Sequence, residues 1–481
     1  MPDTAVQSVP VKKQCSICGK EVAAGERLKD ASGQYFCRPC WAMRPLGRAG
    51  VPQRLLLKNI TCPHCWHIFK PESILWIAEH SDLLGDPVLG QEQHIRFLPS
   101  RFTVAGEAID PRGATCRQMA CPRCHLPILR DVLESPLLFI SMIGGPGSGK
   151  SNLLASMSWL LRQTMARDFA LQWGDVDAVT NRLINSYEEQ LFLAADPNKP
   201  TSIAKTQEQG DIYDVANIGG QSTAFTRPFI FKVRPTAAHP HYNRAAEITR
   251  LACLYDNAGE SYLPGADTTS RPYTQHLGKA QLIMFLFDPS QDPRMRQRCQ
   301  GISSDPQIVN TRRTFRQEVF LNEASVRLRR YSGLGQNAQT DRPLLMLISK
   351  SDIWGGLLTE DITSEPFVTL AGSATKVLDI ERMERASRAV RALLADVTPE
   401  IVSAAEAISK SVTFIPVSAL GHAPAPDAQE QALLSICPRD IKPRWVTTPV
   451  LYALGRYTRN LLLIHDGKQA TPPHDSRALL R

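Results

Sequence analysis

From residue 137 onward, short apolar runs alternate with longer stretches whose apolar positions recur at helical spacing. The runs cover residues 137–143, 228–233, 251–255, 280–287, 344–348 and 412–417, each five to eight residues long. Runs of that length that are mostly apolar, rather than alternating, belong to strands covered on both faces. Residues 152–161 predict a helix directly after the first run. The expectation is an α/β body over residues 133–466, a sheet with helices on both faces. The excursion at residues 290–342 is longer than such a body needs. Phe315, Val319 and Val326 recur there at helical spacing, which predicts an inserted helix turning those three inward. Arg312, Arg313, Arg316, Arg327, Arg329 and Arg330 would then occupy its outer face or serve as a docking surface. Residues 467–481 are polar and proline-bearing, and read as a loose tail.

The part before residue 133 follows a different pattern. Nine of the twelve cysteines lie before residue 125, and eight of them form four C-x-x-C pairs. Cys15, Cys18, Cys37 and Cys40 have the spacing of a zinc ribbon over residues 1–50, in which two tight knuckles present four thiolates. Cys62, Cys65, Cys121 and Cys124 repeat the knuckle over residues 51–132, with a proline after each first cysteine and a long insertion between the pairs. That insertion has a helix-like stretch near residues 71–80 and strand-like stretches near 94–104. Two structural Zn²⁺ ions are expected, because four thiolates close the coordination shell that a catalytic zinc leaves open. His64, His67 and Cys116 are near enough in sequence to substitute as ligands, crossed pairing of the knuckles stays open, and disulfides are the alternative.

Composition adds bounds. The 481 residues are 43% hydrophobic and 21% charged, as in ordinary globular proteins, and long enough for two or three domains. The formal charge of +8 permits an acidic or nucleic-acid partner without requiring one. No run approaches the roughly 18–20 apolar residues that span a bilayer, and the first eleven residues lack the apolar segment of a signal peptide, so no membrane role and a cytoplasmic location are expected.

The chemistry centres on the end of the first run. Gly144, Gly145, Gly147, Ser148, Gly149, Lys150 and Ser151 fit G-x-x-x-x-G-K-[ST] between a strand and a helix, the context of a phosphate-binding loop. Glycines let backbone N–H groups converge on phosphates, Lys150 reaches the β- and γ-phosphates, and the Ser151 hydroxyl suits Mg²⁺. Asp256 and Gly259 form D-x-x-G at the end of a second strand, Lys350 and Asp352 follow a third, and Ser418 and Ala419 follow a fourth.

In that order these elements resemble the Ras-like or translation-factor class of P-loop GTPases, over roughly residues 137–465. The resemblance implies GTP and GDP as ligands with Mg²⁺. It gives Asp352 the guanine ring N–H and amino group, Lys350 the face of the base, Ala419 the guanine oxygen, and Asp256 the metal. Glu260 stands where many relatives carry a water-orienting Gln, and Thr201 is the expected threonine closing over Mg²⁺, with Thr206 and Thr223 as alternatives. Ionised glutamate accepts from water but donates nothing to phosphate, so slow hydrolysis aided by a partner is expected. Ser349 replaces the usual Asn or Thr, and Pro146 removes an N–H from the loop, a choice more familiar in ATPases; an ATPase is therefore the alternative enzyme. With its zinc-ribbon head the chain resembles the bacterial double-GTPase proteins of conflict and defence systems, which implies a regulatory switch with protein partners, a second GTPase among them. The other alternative makes the zinc head a nucleic-acid-binding module. Few aromatics lie beside its basic residues, which argues against base stacking.

Overall fold

A computed structural model describes residues 13–15, 20–22, 28–29, 35–37, 56–203, 213–263, 265–266, 273–309, 316–369, 375–426 and 434–465. The chain divides into two compact units, residues 1–55 and 56–481. In the first, Leu28–Lys29 pairs antiparallel with Tyr35–Phe36, and Cys15, Val22 and Cys37 pack together. Cys18 and Cys40 lie outside the described residues, as do Thr206, Phe315, Arg312, Arg313 and the expected tail at 467–481.

The second unit is mixed α/β, built on a seven-stranded sheet. Its strands are β1 (Leu137–Gly144), β2 (Leu171–Asp175), β3 (Phe229–Pro235), β4 (Arg250–Asp256), β5 (Leu282–Phe287), β6 (Leu344–Ile348) and β7 (Val412–Pro416). They lie in the order β2-β3-β4-β1-β5-β6-β7. Pairing is parallel from β4 across to β7 and antiparallel for β2 with β3 and β3 with β4. The expected runs coincide with six of these strands. The polar edge strand β2, whose Gln172, Gly174 and Asp175 interrupt its apolar residues, gave no such signal.

Alternation along each strand sorts the core into two faces. Ile140 and Met142 of β1, with Leu254, Met284 and Leu347, meet α1 (Lys150–Asp168), α2 (Arg182–Phe192) and the C-terminal helix Thr448–Tyr457. On the opposite face, Phe285, Met346 and Phe414 meet α3 (Gln317–Ser332), the later turns of α4 (Ile380–Val397) and α5 (Pro399–Ile408). The remainder of that face, Phe139, Ile230, Cys253 and Tyr255, is covered by the tetracysteine region together with Val132 and Leu133 of the short helix Arg130–Glu134. The boundary expected at residues 132–133 therefore runs through the interior of one compact unit.

Two local expectations are corrected. The stretch at 71–80 is a single 3-10 turn, Pro71–Ser73, followed by the strand Leu75–Ile77, which pairs with Met119–Ala120 and Arg96–Phe97. Leu75, Trp76 and Ile77 suit a strand, and cross-strand partners outweigh the local helical pattern. The inserted helix exists as α3, but its buried stripe is Phe320, Leu321, Ala324 and Leu328, while Val319 and Val326 are exposed. Among the described residues no helix is long and apolar enough to cross a membrane.

Candidate nucleotide cleft and tetracysteine centre

Every parallel strand delivers its C-terminal end to the same edge of the sheet, where open α/β sheets hold their ligands. The glycine-rich loop leaves β1 and enters α1 through Gly147 (φ 69°) and Gly149 (φ 93°), left-handed conformations that other residues adopt only with strain. Lys150 Nζ donates to the carbonyls of Gly144 (2.9 Å) and Gly145 (3.3 Å), and Ser148 Oγ donates to Gly145 O (2.9 Å). Ser151 stands in the first turn of α1.

β4 lies beside β1, with Asp256 in register with Met142, two residues before the loop. Asp256 is buried, and its Oδ1 has no hydrogen-bond partner. Burial lifts its pKa to about 6, against the pull of Lys150. Gly259 packs against the loop so tightly that a Cβ there would stand 2.4 Å from the nitrogen of Pro146. Glu260 follows, half-buried in the turn Gly259–Tyr262.

That turn is anchored by a residue assigned above to an outer face. Arg327 of α3 is 1% exposed, donates to the carbonyls of Ser261 (2.5 Å) and Leu263 (2.8 Å), and pairs with Glu323 (2.8 Å). His276 supports it from below: its ring stacks on Tyr255, and Asn257 Nδ2 donates to Nε2 (3.0 Å). This leaves Nδ1–H to donate to Ser141 Oγ (2.7 Å), and burial lowers the imidazole to about 3, so it is neutral.

At the other end, Ser349 to Asp352 follow β6, and Ser418 with Ala419 follow β7. Lys350 is left-handed (φ 55°), and its Nζ donates to Asp288 Oδ2, Ser290 Oγ and Gln307 Oε1, each at 2.7 Å. Ser418 Oγ donates to Asp352 Oδ1 and accepts from Gly421 N (2.8 Å). Ser351 N donates to Val417 O (3.1 Å), tying the two loops together, and Ser156 Oγ of α1 donates to Ala419 O (2.7 Å). The Ser349 hydroxyl has no partner; Trp354 Nε1 braces the loop through Ser349 O (2.7 Å).

A cleft of about 460 Å3 joins these ends, lined by Ser148, Gly149, Asn152, Ser349, Lys350, Asp352, Ser418 and Ala419. The structure thus gathers the phosphate loop and the residues after β6 and β7 around one space. Thr201 pairs through its backbone with Ile436 and is not among the residues lining the cleft. Thr223 lies in a hairpin, Tyr213–Ile218 with Gln221–Thr226, that the sequence pattern did not announce. Asp305, Gln307 and Asn152 also line the cleft, and Gln291 Nε2 donates to Pro146 O (3.2 Å). None of these four belongs to a motif. Asp256 Oδ1, Gln291 Oε1, Asp305 Oδ2 and Ser349 Oγ are each buried without a hydrogen-bond partner, and all four lie around this edge.

Behind β4, Cys62, Cys65, Cys121 and Cys124 bring their four sulfurs within 4.8 Å of one another, all buried, an arrangement that could hold a metal ion. The knuckles match. Cys62 N donates to His67 O (2.9 Å) as Cys121 N does to Leu126 O (3.0 Å), with Trp66 (φ 55°) and His125 (φ 59°) left-handed after each pair. Cys62 pairs with Cys124 at 3.8 Å and Cys65 with Cys121 at 3.7 Å, too long for S–S bonds. Cys116 lies instead against Asp110 (3.9 Å), and His64 faces Asp214 (3.3 Å), outside the cluster. The knuckle reaches the cleft edge of the sheet through Tyr255, one residue before Asp256: Trp66 Nε1 donates to its hydroxyl (3.1 Å), which donates to Pro63 O (2.5 Å).

No protein-family model matches the sequence, and no curated protein matches it. Among solved structures, Sup35 complexed with GDP is similar over 66% of this chain and 46% of its own, at 14% identity and a TM-score of 0.21. Sup35 complexed with GMPPNP is similar over 59% and 38%, at 13% identity and a TM-score of 0.19. The chain spans less than half the length of these structures.

Proposed function

We propose that the chain binds a guanine nucleoside triphosphate with Mg²⁺ in the cleft and hydrolyses it slowly, acting as a nucleotide-dependent switch. The observation that carries this is the joining of Ser148 and Gly149 of the phosphate loop with Lys350, Asp352, Ser418 and Ala419 in one cleft. Loop N–H groups and Lys150 would hold the phosphates, and Asp352, with one oxygen pinned by Ser418, would offer the other to guanine N–H groups. Mg²⁺ fits the donor set, since the orphaned Oδ1 of buried Asp256 lies beside the loop that carries Ser151. When bound, the ion neutralises phosphate charge. Glu260, behind Gly259 in the turn that Arg327 holds, is placed to accept from an attacking water and offers no positive charge, so turnover should be slow without a partner.

The tetracysteine centre takes Zn²⁺ in this reading. Zn–S bonds of about 2.3 Å set a tetrahedral edge of about 3.8 Å, close to the 3.7 and 3.8 Å measured here. A second ion in the first unit is proposed from Cys15 and Cys37, which pack together, and the spacing of Cys18 and Cys40.

Equilibrium affinities of the full chain for GDP, XDP and ADP test the nucleotide assignment. GDP should bind best, and Asp352→Asn should shift preference toward XDP, costing guanine roughly ten- to a hundredfold. Equal binding of ADP and GDP by the unaltered chain overturns the guanine assignment in favour of an ATPase.

A further inference from the structure

One carboxylate in the cleft has no task in the reading above. Asp305 is 1% exposed and opens the short helix Pro306–Val309, its Oδ1 accepting from Gln307 N (2.7 Å). Its Oδ2 is buried without a hydrogen-bond partner, although the residue lines the same cleft as Ser148, Lys350 and Asp352. Burial pushes the carboxyl above its ordinary value, with the Lys350 charge opposing that rise. A carboxylate fixed by one oxygen, with the other orphaned at a polar cleft, calls for a donor from the ligand.

Its place along the cleft narrows the donor. Gln307 accepts from the Lys350 ammonium, whose other partners, Asp288 and Ser290, follow β5, the neighbour of the phosphate-loop strand. Asp352 is held from the opposite side, by Ser418 after β7. Asp305 lies within electrostatic reach of Lys350 and Asp352 and lines the cleft that Ser148 of the phosphate loop also lines. Phosphate oxygens carry like charge and donate nothing at neutral pH. The N–H groups at the base edge are met by Asp352. The donors that remain on a nucleotide, lying between base and phosphates, are the ribose hydroxyls.

We propose that Asp305 accepts a hydrogen bond from a ribose hydroxyl of the bound nucleotide, making the cleft selective for ribonucleotides over deoxyribonucleotides. This rests on the cleft being the nucleotide site. The test uses the full chain and compares equilibrium affinities for GDP, 2′-deoxy-GDP and 3′-deoxy-GDP in the unaltered protein, Asp305→Ala and Asp305→Asn. The unaltered chain should bind one deoxy nucleotide roughly tenfold or more weaker than GDP, and which one identifies the hydroxyl. Asp305→Ala should lose that discrimination while keeping the unaltered affinity for the deoxy nucleotide, which shows the cleft intact; Asp305→Asn, still an acceptor, should retain part of it. If the unaltered chain binds all three equally, or Asp305→Ala discriminates as strongly as before, the proposal is overturned, even if the alanine variant fails to fold in the first case. If no guanine nucleotide binds the unaltered chain, the nucleotide reading fails and this proposal with it, a result distinct from binding without discrimination.

Discussion

Gly259 faces Pro146 across a gap that admits no side chain: a Cβ would lie 2.4 Å from the Pro146 nitrogen and 2.6 Å from the Gly145 carbonyl carbon. Both obstacles are backbone, so neither can swing aside as a flexible side chain would. Gly259→Ala should push the turn carrying Glu260 away from the phosphate loop, destabilising the fold by about 1–3 kcal/mol and slowing triphosphate hydrolysis. Thermal unfolding without nucleotide and single-turnover hydrolysis check this; an unchanged Tm with an unchanged rate contradicts the close approach.

Arg327 should matter to the same turn from the other side. Its guanidinium meets Ser261 O and Leu263 O in the interior, and alanine would leave both carbonyls to find new donors. The expected cost is about 2–4 kcal/mol, the range for breaking a buried charged network, with hydrolysis reduced more than nucleotide binding. Lysine should not rescue, since one ammonium cannot reproduce the planar fork. An Arg327→Lys variant with the original rate and stability would show that the fork is unimportant.

Acid should weaken the Mg²⁺-dependent part of nucleotide binding. Without a cation, burial holds the Asp256 carboxyl at about 6, raised from 3.8. Between those values the folded protein binds the proton that the unfolded chain releases, so this residue's burial costs stability increasingly as pH rises through that window. A cation needs the ionised form, and must displace that proton below about pH 6. The ratio of affinities with and without Mg²⁺ should therefore fall by up to about tenfold per pH unit below 6. Asp256→Asn should remove this dependence and leave only the titration of the nucleotide itself. Parallel pH profiles for the two proteins would contradict the metal assignment.

The two cysteine sets should respond differently to loss. Cys62→Ser opens a centre whose knuckle packs on Tyr255, in the same compact unit as the cleft, so both metal content and GDP affinity should drop. Cys15→Ser lies in the separate unit 1–55 and should leave GDP affinity unchanged within about twofold. Metal analysis and nucleotide titration on each variant decide between them. Equal losses of affinity would contradict the division.

What the sequence displayed and what it concealed follow from range. The glycine loop, the strands before Asp256 and Asp352, and the knuckles of Cys62–Cys65 and Cys121–Cys124 are local patterns, each spanning fewer than ten residues, and these are found in place. Arg327, by contrast, looked like one of several surface arginines, because its burial depends on carbonyls more than sixty residues away. Val319 and Val326 misled for a related reason: helical spacing fixes a stripe's period, and only the facing residues decide which stripe is buried. Asp305 and Gln291 belong to no motif, and their orphaned oxygens become visible only once the loop and the cleft stand beside them.

Tyr255 has a practical bearing on where the chain can be cut. A fragment beginning near residue 133 would keep every nucleotide motif, yet it would strip the cover from Phe139, Phe225, Cys253 and Tyr255 and present them to water as an apolar patch. Such a patch invites self-association. A shortened protein intended for nucleotide work should therefore start near residue 56 and keep the tetracysteine cluster that covers these residues.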